Sequence, residues 1–341
     1  MMNMERKKIR LQFADFNPAF DRENNDFIRF LRERYEVELT DHPDYVIYSV
    51  FGYQHLDYDC IRIFYTGECV VPDFNECDYA LGFDRISFGD RYRRIPFYLL
   101  HEYRQGYLDL LKERKLVTRE EWRSRKFCNF VVSNCFAEDV RAEFYQKLSR
   151  YQKVDSGGRY LNNVGGPVKN KEAFQKNYRF SIAFENTSYK GYLTEKIVDA
   201  FRAYTIPIYY GDPDVSLDFN PDAFIDCGRF RNFDEVIQYV KQLEENEDQA
   251  LRIVNQNPIL KPKNPYELRD FLYEIFDRDL SEAGRRPHSI NVRQYEAMLK
   301  RHRFFEHEIY RPYRKIANTV KRLETGTILR KPGSTDEQNN R

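Results

Sequence analysis

Short runs of β-branched and aromatic residues, each followed by a stretch with helical spacing, constrain this chain most. Residues 45–50 and 61–65 are such runs, residues 8–13 read as a further strand, and residues 26–31 have the spacing of an amphipathic helix. Runs apolar on both faces belong to parallel strands covered by helices on either side. Their alternation with helices predicts an open α/β sheet.

Residues 113–126 are almost all charged or polar and read as a connection. A second series follows, with strands over 127–132, 180–184, 206–210 and 223–226. Helical spacing lies over 138–148, from Thr194 as N-cap to about Tyr204, and over 232–243 with Asn232 as cap and Glu235 three residues on. Strand, helix, strand, strand, helix is half of a doubly wound domain. At 341 residues the chain has room for two. The expected division is a Rossmann-like domain over 1–122, a second over 123–285 with a cleft between them, and a tail over 286–341.

Charge excludes one class of partner. Lys+Arg 55 against Asp+Glu 54 leaves no field to collect nucleic acid. The 26 Tyr and 27 Phe suit sugar rings and nucleobases as well as cores. The amino terminus has basic residues but no apolar run behind them, and no window approaches the roughly 18 apolar residues of a spanning helix. With no export signal read, a cytoplasmic protein with reduced thiols is expected, and the six cysteines include no C-x-x-C pair. In the tail, Ile309, Tyr313, Ile316, Val320 and Leu323 form one apolar stripe, and Arg311, Arg314, Lys315, Lys321 and Arg322 fall opposite. Such a helix either packs on the body through its stripe or lies on an anionic membrane, at the inner face of the cytoplasmic membrane in this case. Residues 332–341 are polar and expected to be disordered.

The densest group of chemically useful residues is 180–196: Phe-Ser-Ile-Ala-Phe-Glu-Asn-Thr-Ser-Tyr-Lys-Gly-Tyr-Leu-Thr-Glu-Lys. It reads as a buried strand, a polar loop and a helix start. Free N–H groups and the partial positive charge of a helix start suit a phosphate, and Lys196 adds a full charge. Glu185, Asn186 and Glu195 supply acceptors for ribose or hexose hydroxyls, while Tyr192 can pack on a ring and donate to a phosphate oxygen. These are parts for a sugar nucleotide. A capped surface helix with ordinary charges would use the same residue types.

F-E-N, five residues, then Y-x-T-E-K closely resembles the signature of the α1,3-fucosyltransferases of glycosyltransferase family 10, including the bacterial Lewis-antigen enzymes. Residues 204–213, 218–224 and 232–235 are similar to that family's continuation, and residues 64–68 and 78–84 to its bacterial members. The resemblance implies a GT-B fold, in which two Rossmann-like domains face a cleft and the second holds the nucleotide. It implies an inverting enzyme that moves fucose from GDP-fucose to the 3-hydroxyl of GlcNAc in an N-acetyllactosamine-type glycan. Glu68 matches the general base, followed here by Cys69 where bacterial relatives have Asn. Arg141 and Lys196 would neutralise the leaving diphosphate, and Glu185, Asn186, Tyr192 and Glu195 would bind the donor.

No obligatory metal site is expected, although divalent ions can stimulate such enzymes. The one persuasive D-x-D, Asp212-Pro213-Asp214, lies in a Gly/Pro turn. Three alternatives stay open: a GT-B transferase for another nucleotide sugar, a dual α1,3/1,4-fucosyltransferase, and a glycan-binding protein with a decayed site.

Overall fold

The computed structural model describes residues 6–101, 103–136 and 138–324. The disorder expected of 332–341 lies outside them. Strands β1 (Lys8–Ala14), β2 (Glu36–Leu39), β3 (Tyr45–Tyr48), β4 (Ile61–Tyr65), β5 (Tyr79–Gly82) and β6 (Tyr92–Arg94) form a sheet ordered β2-β1-β3-β4-β5-β6. Strands β7 (Lys126–Phe130), β8 (Val154–Ser156), β9 (Tyr178–Phe184), β10 (Ile206–Tyr210) and β11 (Ile225–Asp226) form a second, ordered β11-β10-β9-β7-β8. Every pairing in both is parallel. Such sheets need cover on both faces, and β3, β4 and β5 are accordingly buried at every residue. Strand order reverses between β1 and β3 in one sheet and between β7 and β9 in the other. Ligands of open α/β sheets bind outside the carboxyl ends of the strands at these switch points. The two sheets form the GT-B arrangement that the resemblance implied.

The connecting helices are α1 (Asp26–Arg34), α2 (Tyr103–Leu110), α3 (Arg119–Ser124), α4 (Val140–Tyr151), α5 (Lys171–Gln175), α6 (Lys196–Arg202), α7 (Phe233–Glu245) and α8 (Glu247–Val254). The charged connection is not wholly loop. Within it Thr118 and Glu121 form a reciprocal capping box that starts α3, and Trp122 is buried against Phe180. The α7 start is capped by Asn232, as its sequence suggests, but the Glu235 side chain turns to Arg231.

Past α8 the chain crosses back. α9 (Glu267–Phe276) packs on the first sheet, with the Phe276 ring 4.4 Å from Tyr45 and the Tyr35 hydroxyl donating to Asp277 at 2.6 Å. After α10 (Leu280–Ala283), Arg286 pairs with buried Asp78 of the first half. Residues 267–285, grouped by sequence with the second unit, thus cover the first. Apolar contact joins the halves as well: Leu193, Ile197, Val198 and Phe201 share a core with Tyr98, Leu99 and Tyr107.

The tail is α11 (Ile290–Phe305) and, after a π-helical turn, α12 (Arg311–Glu324). It does not dock through its apolar stripe. Ile309, Tyr313, Ile316, Val320 and Leu323 point outward and are exposed. The cationic side faces the body, because it finds partners there. Arg311 donates to the Phe51 carbonyl at 3.3 Å, and Lys321 and Arg322 lie over the Phe136 ring at 5.8 and 5.5 Å.

Candidate active site

β9 is buried over its last five residues, so the chain leaves the sheet at Glu185 with the carboxyl still enclosed. A buried carboxylate persists only with close donors. Glu185 has three: the Thr194 N–H at 2.8 Å, the Thr194 hydroxyl at 2.6 Å and the Lys196 ammonium at 2.9 Å. Gly211 makes the room, since a Cβ there would stand 2.5 Å from Cγ of Glu185. Thr194 therefore does not cap the helix. Its hydroxyl is engaged by Glu185, and α6 begins two residues later, at Lys196.

Burial opposes the charge of Lys196, yet Glu185 and Glu195 raise its pKa above the ordinary 10.5. Glu195 lies 3.9 Å from the ammonium. Burial would raise the Glu195 carboxyl, but Lys196 and Lys171 hold it below its usual range.

Arg141, in the first turn of α4, is 1% exposed. Nη1 donates to Oδ1 of Asn186 at 3.2 Å, Nη2 donates to the Asn134 carbonyl at 2.5 Å, and among the described residues Nε has no partner. All these partners are neutral, and burial lowers the pKa of the guanidinium. A buried cation without a countercharge is costly, by several kcal/mol in general, and an anion would relieve it. The same loop is tied to the one after β9: Glu138 N–H donates to the Asn186 carbonyl at 3.2 Å, and Thr187 bonds the Glu138 carboxylate.

Tyr192 is buried edge-on against Phe83 of the first half, ring centroids 5.1 Å apart. Burial first, then Glu185 and Glu68, raise its pKa above the ordinary 10.0. Glu68 reaches this neighbourhood from the loop after β4, exposed, with its N–H held by the Thr66 hydroxyl at 2.9 Å. Beside it the Cys69 thiol is pushed up to about 11 by burial and then by Asp84, Glu138 and Glu68. The structure thus gathers Arg141, Glu185, Asn186, Tyr192, Glu195 and Lys196 at the carboxyl end of the second sheet, with Glu68 opposite.

Sequence reasoning missed the ion latch joining the halves. Arg85 bonds Asp212 at 2.7 Å and Asp218 at 2.5 Å, and Arg94 bonds both oxygens of Asp218 at 3.0 and 2.9 Å. Asp212, the first carboxylate of the D-x-D, also accepts the N–H groups of Gly191 and Asp214. Gly191, at φ +82°, lets the loop touch the first half, for a Cβ there would meet the Phe83 carbonyl oxygen at 2.5 Å. The two acidic motifs were visible; their arginine partners are more than a hundred residues away. Among the described residues no three His, Cys, Asp or Glu side chains group as a metal site, and no helix is long and apolar enough to cross a membrane.

Residues 11–101 match the model of the alpha-(1,3)-fucosyltransferase FucT N-terminal domain, and residues 122–261 that of the glycosyltransferase family 10 (fucosyltransferase) C-terminal part. The chain is 37% identical over 264 residues to the alpha-(1,3)-fucosyltransferase FucT of Helicobacter pylori, a match covering 67% of this chain and 55% of that one. It therefore spans little more than half the length of that relative. A bovine 3-galactosyl-N-acetylglucosaminide 4-alpha-L-fucosyltransferase is 28% identical over 142 residues, 41% of this chain and 38% of that one. The crystal structure of an alpha1,3-fucosyltransferase with GDP-fucose superposes with a TM-score of 0.68 at 31% identity, over 82% of this chain and 93% of the other.

Proposed function

Because this chain belongs to glycosyltransferase family 10, the fucosyltransferases, we propose that it moves L-fucose from GDP-fucose to the 3-hydroxyl of N-acetylglucosamine in an N-acetyllactosamine-type glycan, with inversion. The observation that carries this reading is Arg141, buried with only neutral partners beside Asn186 at the β7/β9 switch point. A diphosphate supplies the missing countercharge there. As the bond to fucose breaks, negative charge grows on GDP, and Arg141 together with Lys196 stabilises it. Glu185 has no free role of its own. It holds Lys196 and Thr194 in position and shapes the pocket wall. Asn186 orients Arg141, while Tyr192 and Glu195 line the donor side.

Glu68 takes the proton of the acceptor hydroxyl as that oxygen attacks fucose C1 from the face opposite GDP. Its exposure in the loop facing Tyr192 suits a group that must meet a second substrate. The bovine relative's name favours a second reading, transfer to a 4-hydroxyl. Product NMR after incubation with GDP-fucose and each acceptor chain type tests both. No fucosylated product from either sinks the proposal.

Turnover without an obligatory metal is part of the same reading, supported by Asp212, whose oxygens already serve Arg85, Gly191 and Asp214. Activity abolished by a chelator and restored by Mn²⁺ would overturn it. The outward apolar stripe of α12 supports peripheral association with a membrane. Equal membrane retention of a chain ending near Ser289 argues against that.

A further inference from the structure

A second carboxylate lies beside the base and is short of donors. β4 and β5 are parallel neighbours, with Tyr65 opposite Leu81, so their carboxyl ends open side by side. Glu68 stands three residues past the end of β4, and Asp84 two residues past the end of β5. Asp84 is only 9% exposed. Among the described residues its carboxylate receives one hydrogen bond, from the Tyr189 hydroxyl to Oδ2 at 3.2 Å, and no cation pairs with it. Glu185, similarly enclosed, has three donors. A carboxylate at this depth requires more than one long bond.

The position of Asp84 is fixed from both halves. The Tyr92 hydroxyl donates to its carbonyl at 2.8 Å, and Nε of Arg94 donates to that of Phe83 at 2.8 Å, so β6 holds the turn. From the other half the loop after β9 closes on it. A Cβ on Gly191 would stand 3.2 Å from Cα of Asp84, and the Phe83 ring meets Tyr189 and Tyr192 edge-on at 5.8 and 5.1 Å. Asp84 also acts on the Cys69 thiol more strongly than Glu68 does, which puts it alongside the loop that carries the base. It therefore sits where the donor loop and the base loop meet. Tyr189 adds an exposed ring at the same place, a surface for the C–H face of a sugar.

The sugar that receives fucose must bring its 3-hydroxyl to Glu68. C2 of that sugar is one bond from C3, and in N-acetylglucosamine it carries an amide N–H, the kind of donor that Asp84 lacks. We infer that Asp84 accepts the amide N–H of the acceptor N-acetylglucosamine, with the Tyr189 ring against the same sugar, and so fixes which hydroxyl faces Glu68. Asp84 is then a specificity residue of the acceptor site, tied to the donor loop through Tyr189. This rests on the fucosyl-transfer reading above and adds to it the group by which the acceptor is recognised.

The test uses the full chain and two acceptors: N-acetyllactosamine, and the same disaccharide with hydrogen in place of the acetamido group. For the parent, kcat/KM with the second should be about tenfold lower, the worth of one hydrogen bond to a charged group. Asp84→Ala should use both at the lower level, because the partner of the N–H is gone; two losses that do not add identify a direct contact. The change should lie in the KM for the acceptor and not in the KM for GDP-fucose. Asp84→Asn keeps the shape and one oxygen acceptor without the charge, and should retain a preference of about threefold; it carries the test if Asp84→Ala does not fold. Equal use of both acceptors by the parent, additive losses, or a raised KM for GDP-fucose overturns the inference and leaves fucosyl transfer standing. Transfer to neither acceptor by the parent removes the reading beneath it.

Discussion

Lys196 and Glu185 share an ion pair of 2.9 Å in which the Glu185 side chain is sealed from water and the Lys196 side chain is 15% exposed. The lysine therefore has two tasks, one structural and one toward the donor. Lys196→Ala leaves a buried charge held only by Thr194, which should cost about 3 kcal/mol of stability. It should also raise the KM for GDP-fucose and lower kcat. A melting temperature equal to that of the parent would show that Thr194 alone satisfies Glu185.

Arg141→Met should separate stability from binding in the opposite way. The substitution removes a buried cation whose hydrogen-bond partners are all neutral, at the expense of two hydrogen bonds, so the free protein should change by no more than about 1 kcal/mol. Affinity for GDP should fall by about 100-fold. Calorimetry of the free protein and titration with GDP read the two effects independently. Undiminished GDP affinity removes Arg141 from the donor site.

Glu68→Gln keeps the shape of the side chain and abolishes its basicity. The expected result is a fall in kcat of at least about 100-fold, with little change in the KM for GDP-fucose. A variant that still transfers fucose at the parent rate excludes Glu68 as the base.

The latch gives an acid limit. Burial opposes ionisation of Asp218, but Arg94, Arg85 and Lys263 together hold its carboxyl below the ordinary 3.8. A carboxyl depressed in the folded state contributes stability above its unfolded pKa and loses it as pH falls through the folded value. This contribution should be constant at pH values well above 3.8 and be lost progressively as pH falls from there through the lower folded value. Asp218→Asn should flatten that acid limb and destabilise the protein by about 3 kcal/mol at neutral pH. Denaturant titrations of both proteins between neutral and acid pH measure it.

Much of this was legible in the chain itself, for definable reasons. β4 and β10 are short apolar runs, and that pattern has few other uses in a folded α/β chain, while β1 shows the alternation of Ile9, Leu11 and Phe13 with polar residues. The short strands β2, β6 and β8 escaped notice: Glu36, Glu38, Arg93, Arg94 and Asp155 interrupt them with charge, and edge strands tolerate that. In the site, the F-E-N and Y-x-T-E-K motifs are separated by one loop, so local spacing conveyed their proximity. Thr194 was misassigned as a cap because sequence cannot show that a carboxylate nine residues earlier claims its hydroxyl. The Arg85 and Arg94 latch, and the inward cationic face of α12, depend on contacts between distant segments. Periodicity identifies the two faces of a helix without saying which one meets the body.

The return of the chain over the first sheet bears on how the molecule is made. Lys7 donates to the carbonyls of Phe276 and Arg278 at 2.8 and 2.7 Å, so the earliest strand is locked by residues the ribosome adds some 270 positions later. During synthesis the amino-terminal half must wait with one flank bare, while the segment from β7 to α8 already has its own apolar centre. Premature termination before α9 would leave that flank open, and quality-control proteases should clear such fragments before they gain activity.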